Sequence, residues 1–407
     1  MPNAPWEPAP LGSLVSFEYG KGLPAEIRTN QGYPVLGSSG KVGKHSDFLV
    51  EGPGIVIGRK GTVGSITWVD TNFWPIDTTY YIESKQPLDI RWLYWKLHTL
   101  GLDRLDSSTG VPGLNRNDAY GFSVEIPEQK EQHRIAEILD TIDDAIQKTE
   151  QLIAKLKQIK QGLLHDLLTR GINENGQLRD HITQPEQFKD SVLGRVPASW
   201  NTLDVGDVLE GVIDFRGRTP KKIGMDWGGG NIPALSANNV EMGQINLSKE
   251  TYYGSEKLYS KWMTSGDAAC GDVVMTLEAP LGNIAQIPDD RRYILSQRTI
   301  LLKTRSDLVD NDFLRYQLMS DQFQRTLVRE STGTTATGIQ RARLVRMAIN
   351  VPPVKEQRMI ADRMQAADEK LGREEKFAAK LNALKKGLMH DLLTGTVRVQ
   401  AREGEGK

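Results

Sequence analysis

"KQGLLHDLLTR" occupies Lys160 to Arg170 and "KKGLMHDLLTG" occupies Lys385 to Gly395, nearly the same phrase written twice, 225 residues apart. The match reaches well upstream. With the chain shifted by 225, Ile126 to Ile172 aligns with Val351 to Val397 without a gap, and 19 of the 47 pairs are identical. "KEQ" at Lys130 to Gln132 falls on "KEQ" at Lys355 to Gln357, and Pro127 falls on Pro352. A self-match of this length marks an internal duplication, which frames every later assignment.

Both copies repeat apolar residues every 3.5 positions, the period of a coiled-coil seam. The first seam is Ile135, Leu139, Ile142, Ile146, Thr149, Ile153, Leu156, Lys160, Leu163 and Leu167. The second is Ile360, Met364, Ala367, Leu371, Glu374, Ala378, Leu381, Lys385, Leu388 and Leu392. Polar residues interrupt both at the same two depths, Thr149 with Glu374 and Lys160 with Lys385, and matched polar seam residues fix register. The pattern predicts two helices of about 40 residues, ~60 Å long, that pair through the large aliphatic residues of these seams. Pro127 and Pro352 mark their starts, Gly171 and Gly395 their ends.

A glycine-rich block precedes each helix, and the blocks resemble each other more weakly. Trp6-x4-Leu11-Gly12-Ser13-Leu14 matches Trp200-x4-Val205-Gly206-Asp207-Val208; "GIVIGRKGTVGSI" (Gly54–Ile66) sits against "DVVMTLEAPLGNI" (Asp272–Ile284); "STGVPGLNR" (Ser108–Arg116) faces "STGTTATGIQR" (Ser331–Arg341). Strand signals fall at Gly32–Val35, Ile55–Ile57, Ser65–Trp68, Thr78–Ile82, Val273–Thr276 and Thr299–Leu302. Helices are expected at Ile90–Thr99 and Asp312–Leu327. The predicted fold is α+β: two strand-rich α+β domains separated by two long helices that form an antiparallel coiled coil, related by a pseudo-twofold. The boundaries are residues 1–126, first domain; 127–170, first helix; 171–196, exposed linker; 197–351, second domain; 352–395, second helix; 396–407, tail, frayed from Ala401.

A chain of 407 residues with 38% hydrophobic and 25% charged residues is in the globular range and long enough for more than one core. It shows no apolar run able to span a bilayer and no basic-then-apolar leader, which predicts a cytoplasmic protein. Cys270 is the only cysteine, so an internal disulfide or a thiolate zinc site is excluded. No Walker loop, HExxH, GxSxG or CxxC pair is present, and "NVPP" (Asn350–Pro353) is not an amino-methyltransferase loop. Neither catalytic nor metal residues are expected.

Basic and amide-bearing loops, in contrast, occur in both blocks. In the first, "GSSGKVGK" supplies Ser38, Ser39, Lys41 and Lys44, "GRKG" supplies Arg59 and Lys60, and Asn115 and Arg116 close the glycine loop. In the second, "FRGRTPKK" carries Arg216, Arg218, Lys221 and Lys222, "SANN" carries Asn238 and Asn239, and Gln340, Arg341 and Arg343 follow the loop. Arginine forks, lysines and amides suit phosphate and base edges. The net charge of -1 does not itself point to nucleic acid, so the reading rests on distribution.

Through "IPEQKEQHRIAEILDTID", "VPPVKEQRMIADRM", the two quoted endings, "SVLGRVPASW", "YPVLGSSGKVG", "IVIGRKGTVG", "FWPIDTTYYI", "FRGRTP", "GNIPALSANNV" and "GDVVMT", nearly the whole chain resembles the specificity (S) subunits of Type I restriction-modification systems. The resemblance implies two target-recognition domains, each reading one half of a bipartite double-stranded DNA target. It also implies that the antiparallel helices set the spacer and dock two modification subunits. The S subunit would itself be non-catalytic and bind no cofactor. S-adenosylmethionine for adenine methylation belongs to the modification subunits, and ATP and Mg to restriction subunits of the full complex. A duplicated coiled-coil adaptor binding proteins and not DNA is the alternative at this stage.

Overall fold

The computed structural model describes residues 6–105, 113–333 and 337–400. Ser108 to Pro112-side residues of the first glycine loop, Thr334–Ala336 of the second, and the tail from Ala401 lie outside the described residues. The chain divides into two compact units: unit 1 is Met1–Leu152 with Glu374–Lys407, and unit 2 is Ile153–Arg373. Both cuts fall inside the long helices. Each block is thus grouped with one half of each helix, where the sequence reading set the helices apart as regions of their own.

Unit 1 runs β1 (Glu7–Pro10), α1 (Leu11–Leu14), β2 (Val15–Tyr19), β3 (Tyr33–Gly37), β4 (Gly40–His45), β5 (Gly54–Gly58), β6 (Ile66–Val69), β7 (Trp74–Pro75), β8 (Thr79–Ser84), α2 (Ile90–Leu97), α3 (Arg116–Tyr120) and β9 (Ser123–Ile126), then enters α4 (Gln129–Thr169). A four-stranded antiparallel sheet has the order β2-β8-β5-β6; a second sheet is β4-β3-β7, with β3 and β7 parallel; β1 pairs with β9. Central β5, "GIVIG", is buried at every position, which is why it reads as a continuous apolar run and not an alternating one.

Unit 2 continues with β10 (Phe188–Ser191), β11 (Gly194–Pro197), β12 (Asn201–Asp204), β13 (Leu209–Asp214), β14 (Ile232–Leu235), β15 (Val240–Glu241), β16 (Gln244–Ile245), β17 (Tyr252–Gly254), α5 (Glu256–Trp262), β18 (Val273–Leu277), β19 (Leu281–Gln286), β20 (Ile294–Leu295), β21 (Thr299–Thr304), α6 (Asn311–Met319), α7 (Asp321–Glu330), α8 (Arg341–Leu344), β22 (Ala348–Val351) and α9 (Val354–Leu393). Its sheets repeat those of unit 1: β13-β21-β18-β19, then β17-β14-β20 with β14 and β20 parallel, then β12 with β22. All six strand signals are strands. The helix expected over Asp312–Leu327 is two helices, because Ser320 takes an extended conformation and caps α7 through a bond from the Phe323 amide.

The stretch expected as an exposed linker is only partly one. Ile172, Val196 and Trp200 are buried in the core of unit 2, and Phe188–Pro197 forms the β10–β11 hairpin, while 181–186 stays exposed.

The helices pair antiparallel. In unit 1, Ile135 and Leu139 share a core with Leu392, and Ile142 and Ile146 pack with Leu381 and Leu388. In unit 2, Leu163 and Leu167 share a core with Ile360 and Met364. The two seam lysines each find an aspartate on the other helix: Lys385 binds Asp143 in unit 1, and Lys160 binds Asp368 in unit 2. The second pair lies 17 residues further along α4 and 17 back along α9 in the sequence, and each unit by itself holds its helix segments antiparallel. Toward the middle the seam is less covered: Ile153, Leu156 and Leu371 are half-buried. Gly171 (φ +62°) and Gly395 (φ +73°) take the left-handed conformation that follows a helix C-terminus.

The repeated "KEQ" fastens each block to its helix. Gln132, buried, accepts from the Asp89 amide and donates to the Pro127 carbonyl; Gln357 does the same with Asp310 and Pro352. Glu131 receives Arg398 on both oxygens (2.8 and 2.7 Å), together with Trp6 Nε1. Glu356 receives Arg179 and the Ile172 amide. Residues before Ala401 in the expected tail are therefore docked in unit 1.

Candidate nucleic-acid interface

Exposed Tyr19 ends β2 in unit 1, and its ring collects two of the basic residues singled out by sequence. The Arg59 guanidinium lies 4.8 Å from the ring centroid and that of Arg116 lies 5.0 Å from it. Tyr80 packs beneath, its centroid 5.1 Å from that of Tyr19. Burial pushes the Tyr80 phenol up, and the neighbouring Tyr19 adds to the rise. Each guanidinium is aimed by one backbone carbonyl: Arg59 donates to Asp77 O (3.1 Å) and Arg116 to Phe17 O (3.1 Å). Arg59 is further placed by its own backbone, whose amide binds Thr78 O and whose carbonyl accepts the Leu114 amide. Neither arginine forms an ion pair with a carboxylate of the described residues.

Lys60 and Asn115 adjoin Arg59 and Arg116 along the chain, and the β3–β4 hairpin carries the rest of the first set. Lys60 is exposed and bridges to Gly113, and Asn115 caps α3 by accepting the Asn117 amide. Ser38 sits at the tip of the β3–β4 hairpin, where its carbonyl accepts the Ser65 hydroxyl, so this tip meets the β5–β6 loop. Ser39 is exposed in the same turn and Lys41 follows Gly40 in the return strand. Lys44 does not join them. It pairs with Pro34 and Thr29 at the far end of the hairpin.

The matched position of unit 2 is built on the same backbone with different chemistry. Asp214 ends β13 opposite Ile300, as Tyr19 ends β2 opposite Tyr80. Leu277 takes the place of Arg59, since its amide binds Arg298 O and its carbonyl accepts the Ile339 amide. Glu278 bridges to Gly338 as Lys60 does to Gly113. Arg216 is committed to Asp214 by two prongs (2.9 and 2.7 Å) and is not a free fork for a base. Burial alone would push the Asp214 carboxyl up, but these bonds from Arg216, with the charge of Arg341, hold it below the ordinary carboxylate value.

The remaining unit 2 expectations separate. Asn239 is wholly buried: its Oδ1 accepts from the Ser236 amide and hydroxyl, and its Nδ2 donates to the Thr251 hydroxyl at 2.9 Å. It shapes a turn, and its amide lies inside the fold and not at the surface where the sequence reading placed it. Asn238 is exposed beside it. Arg218 lies over Phe215 and donates to Trp262 O (2.6 Å), bracing its loop; Lys222 donates to Gly217 O (2.6 Å), and Lys221 is exposed. Gln340 and Arg341 are exposed at the start of α8, and Arg343 binds Glu330 O (3.2 Å).

Sequence reasoning missed Tyr19 and Asp214. The only trace of Tyr19 is an aromatic at a strand end just before "GKG" at Gly20–Gly22.

A family model described as the Type I restriction modification DNA specificity domain matches the chain twice, over residues 3–158 and 197–383. The Type I restriction enzyme MjaVIII specificity subunit of Methanocaldococcus jannaschii is 26% identical over 358 residues, covering 85% of this chain and 76% of that protein. The Type I restriction enzyme EcoDI specificity subunit of Escherichia coli is 24% identical over 284 residues, 63% of this chain and 62% of that one. Among solved structures, the S subunit of a Type-I restriction-modification system from M. genitalium has a similar fold, with a TM-score of 0.64 at 16% identity over 96% of this chain and 97% of that one.

Proposed function

The chain belongs to the Type I restriction modification DNA specificity family, and from that premise we propose that each block reads one half of a bipartite DNA target, with the length of the helices setting the spacer. It is the non-catalytic DNA specificity subunit of a Type I restriction-modification system. The observation that carries this reading is the double match of the specificity domain within one chain, with the same sheet order in both units. Two copies of one reading device in a single chain suit a target with two separate half-sites.

The helices serve a second purpose in this proposal, docking two adenine-methylating subunits. Apolar side chains left exposed along them support it: Leu152, Phe377 and Leu384 in unit 1, and Ile159 in unit 2. The methyl donor S-adenosylmethionine is placed on the methylating subunits, and ATP with Mg on restriction subunits. No helix of the described residues is long and apolar enough to cross a membrane, and the proposed site of action is the cytoplasm, where the DNA is.

The test is to map methylated adenines in a host that expresses this chain with its methylating subunits. The expected result is a single motif of two short defined sequences separated by a fixed undefined gap. Methylation without such a motif would sink the proposal.

A further inference from the structure

Arg59 and Arg116 stand about equally far from the Tyr19 centroid, 4.8 and 5.0 Å, on opposite loops of unit 1. Each is a half-buried positive charge, and taking a charge out of water costs free energy. The ring face offsets part of that cost, as a cation over an aromatic does by about 0.5–1 kcal/mol at exposed sites. No carboxylate offsets the rest, since neither guanidinium is ion-paired among the described residues. The two are nonetheless held in place by carbonyls of Asp77 and Phe17. An arrangement that keeps two oriented, unneutralised forks beside an exposed ring is complementary to an electronegative edge brought from outside.

Two such edges exist on DNA: the O6 and N7 acceptors of guanine in the major groove, and phosphate oxygens. The aromatic between the arginines favours the base. An arginine fork fits phosphate as well as guanine, but an exposed ring at its side offers a stacking surface that only a base can use. The matched position of unit 2 sharpens the distinction. There Asp214 replaces the ring, Leu277 replaces Arg59 and Glu278 replaces Lys60, while Arg341 keeps the place of Arg116 and Arg216 is closed on Asp214. With a leucine in the place of Arg59 and a carboxylate in the place of the ring, the two-fork, one-ring arrangement of unit 1 is absent here.

Resting on the DNA-reading function above, we propose that Tyr19, Arg59 and Arg116 are the guanine-reading cluster of the first block, and that the second block does not read guanine at its matched position. The two half-sites therefore differ at this step.

Methylated-adenine mapping with the full complex tests this, comparing the parent chain with Arg59→Lys and Arg116→Lys. Lysine keeps the charge and the alkyl stem but loses the fork, so the fold is retained and only bidentate reading is removed. Each variant is expected to lose discrimination at one guanine of one half-site by roughly 10- to 100-fold, while the other half-site and the spacer stay as in the parent. An unchanged motif overturns the proposal. So does uniform weakening across all sequences, the mark of a phosphate contact. Complete loss of methylation by a variant that melts like the parent overturns it as well, because a base-reading group relaxes a motif and does not abolish it. A parent chain without any bipartite motif would instead overturn the functional reading on which the cluster's role rests.

Discussion

Glu131 is buried yet ionised. Burial alone would raise its carboxyl pKa, but hydrogen bonds from Arg398, Trp6 and the Val399 amide outweigh it and hold the group below its ordinary 4.5. A depressed carboxyl contributes stability above its unfolded value that is lost as pH falls through its folded value. Unit 1 should therefore weaken below about pH 4.5, and Glu131→Gln should remove that part of the acid response, read from melting temperature against pH. Arg398→Ala should cost about 2 kcal/mol at neutral pH, less than the ~3–5 of a fully buried pair because Arg398 is partly exposed. Asn239 gives a second check: Asn239→Ala leaves the Ser236 amide and hydroxyl without their acceptor and should cost about 1–3 kcal/mol, with no change in the recognised motif. These side chains show why single-residue roles were hard to see in the sequence. "SANN" and "FRGR" look alike as polar loops, and only folding reveals that Asn239 points inward and that Arg216 is taken by Asp214 two positions earlier.

Helices α4 and α9 were fully legible because a long 3.5-residue period leaves few alternatives, and their bounds fall close to those expected. The buried part of 171–200 was not legible, since Ile172, Val196 and Trp200 are too widely spaced to form any period and owe their burial to contacts far along the chain. The proposed spacer role makes the length of α4 and α9 the quantity to change. Inserting one heptad in α4 and one in α9 at matched depths should lengthen the undefined gap in the methylation motif without altering either half-site; a gap of unchanged length would contradict the spacer role. Within the seam, Leu139 is wholly buried against α9 in unit 1, so Leu139→Ala should cost ~2–5 kcal/mol. Leu163→Asp with Leu388→Asp should abolish assembly with the methylating subunits, measured by co-purification.

The duplication governs the entire chain. Sheet order, the "KEQ" fastening and the lysine–aspartate pairs all recur, although the blocks themselves share little sequence, because strand order depends on burial pattern more than on identity. What differs between the copies is the chemistry at matched loop positions, which is where two half-sites of unlike sequence would need it.

The two units also differ in how they are written along the chain. Unit 2 is one unbroken stretch, whereas unit 1 takes its last part from Glu374 onward. On the ribosome the first block emerges early but lacks its share of α9 while Ile153–Arg373 is made, on the order of 10–45 s at about 5–20 residues per second. Birth order and completion order are thus reversed: unit 1 has to wait, with the surface of Ile135 and Leu139 that faces Leu392 uncovered, until the stretch from Glu374 onward is translated.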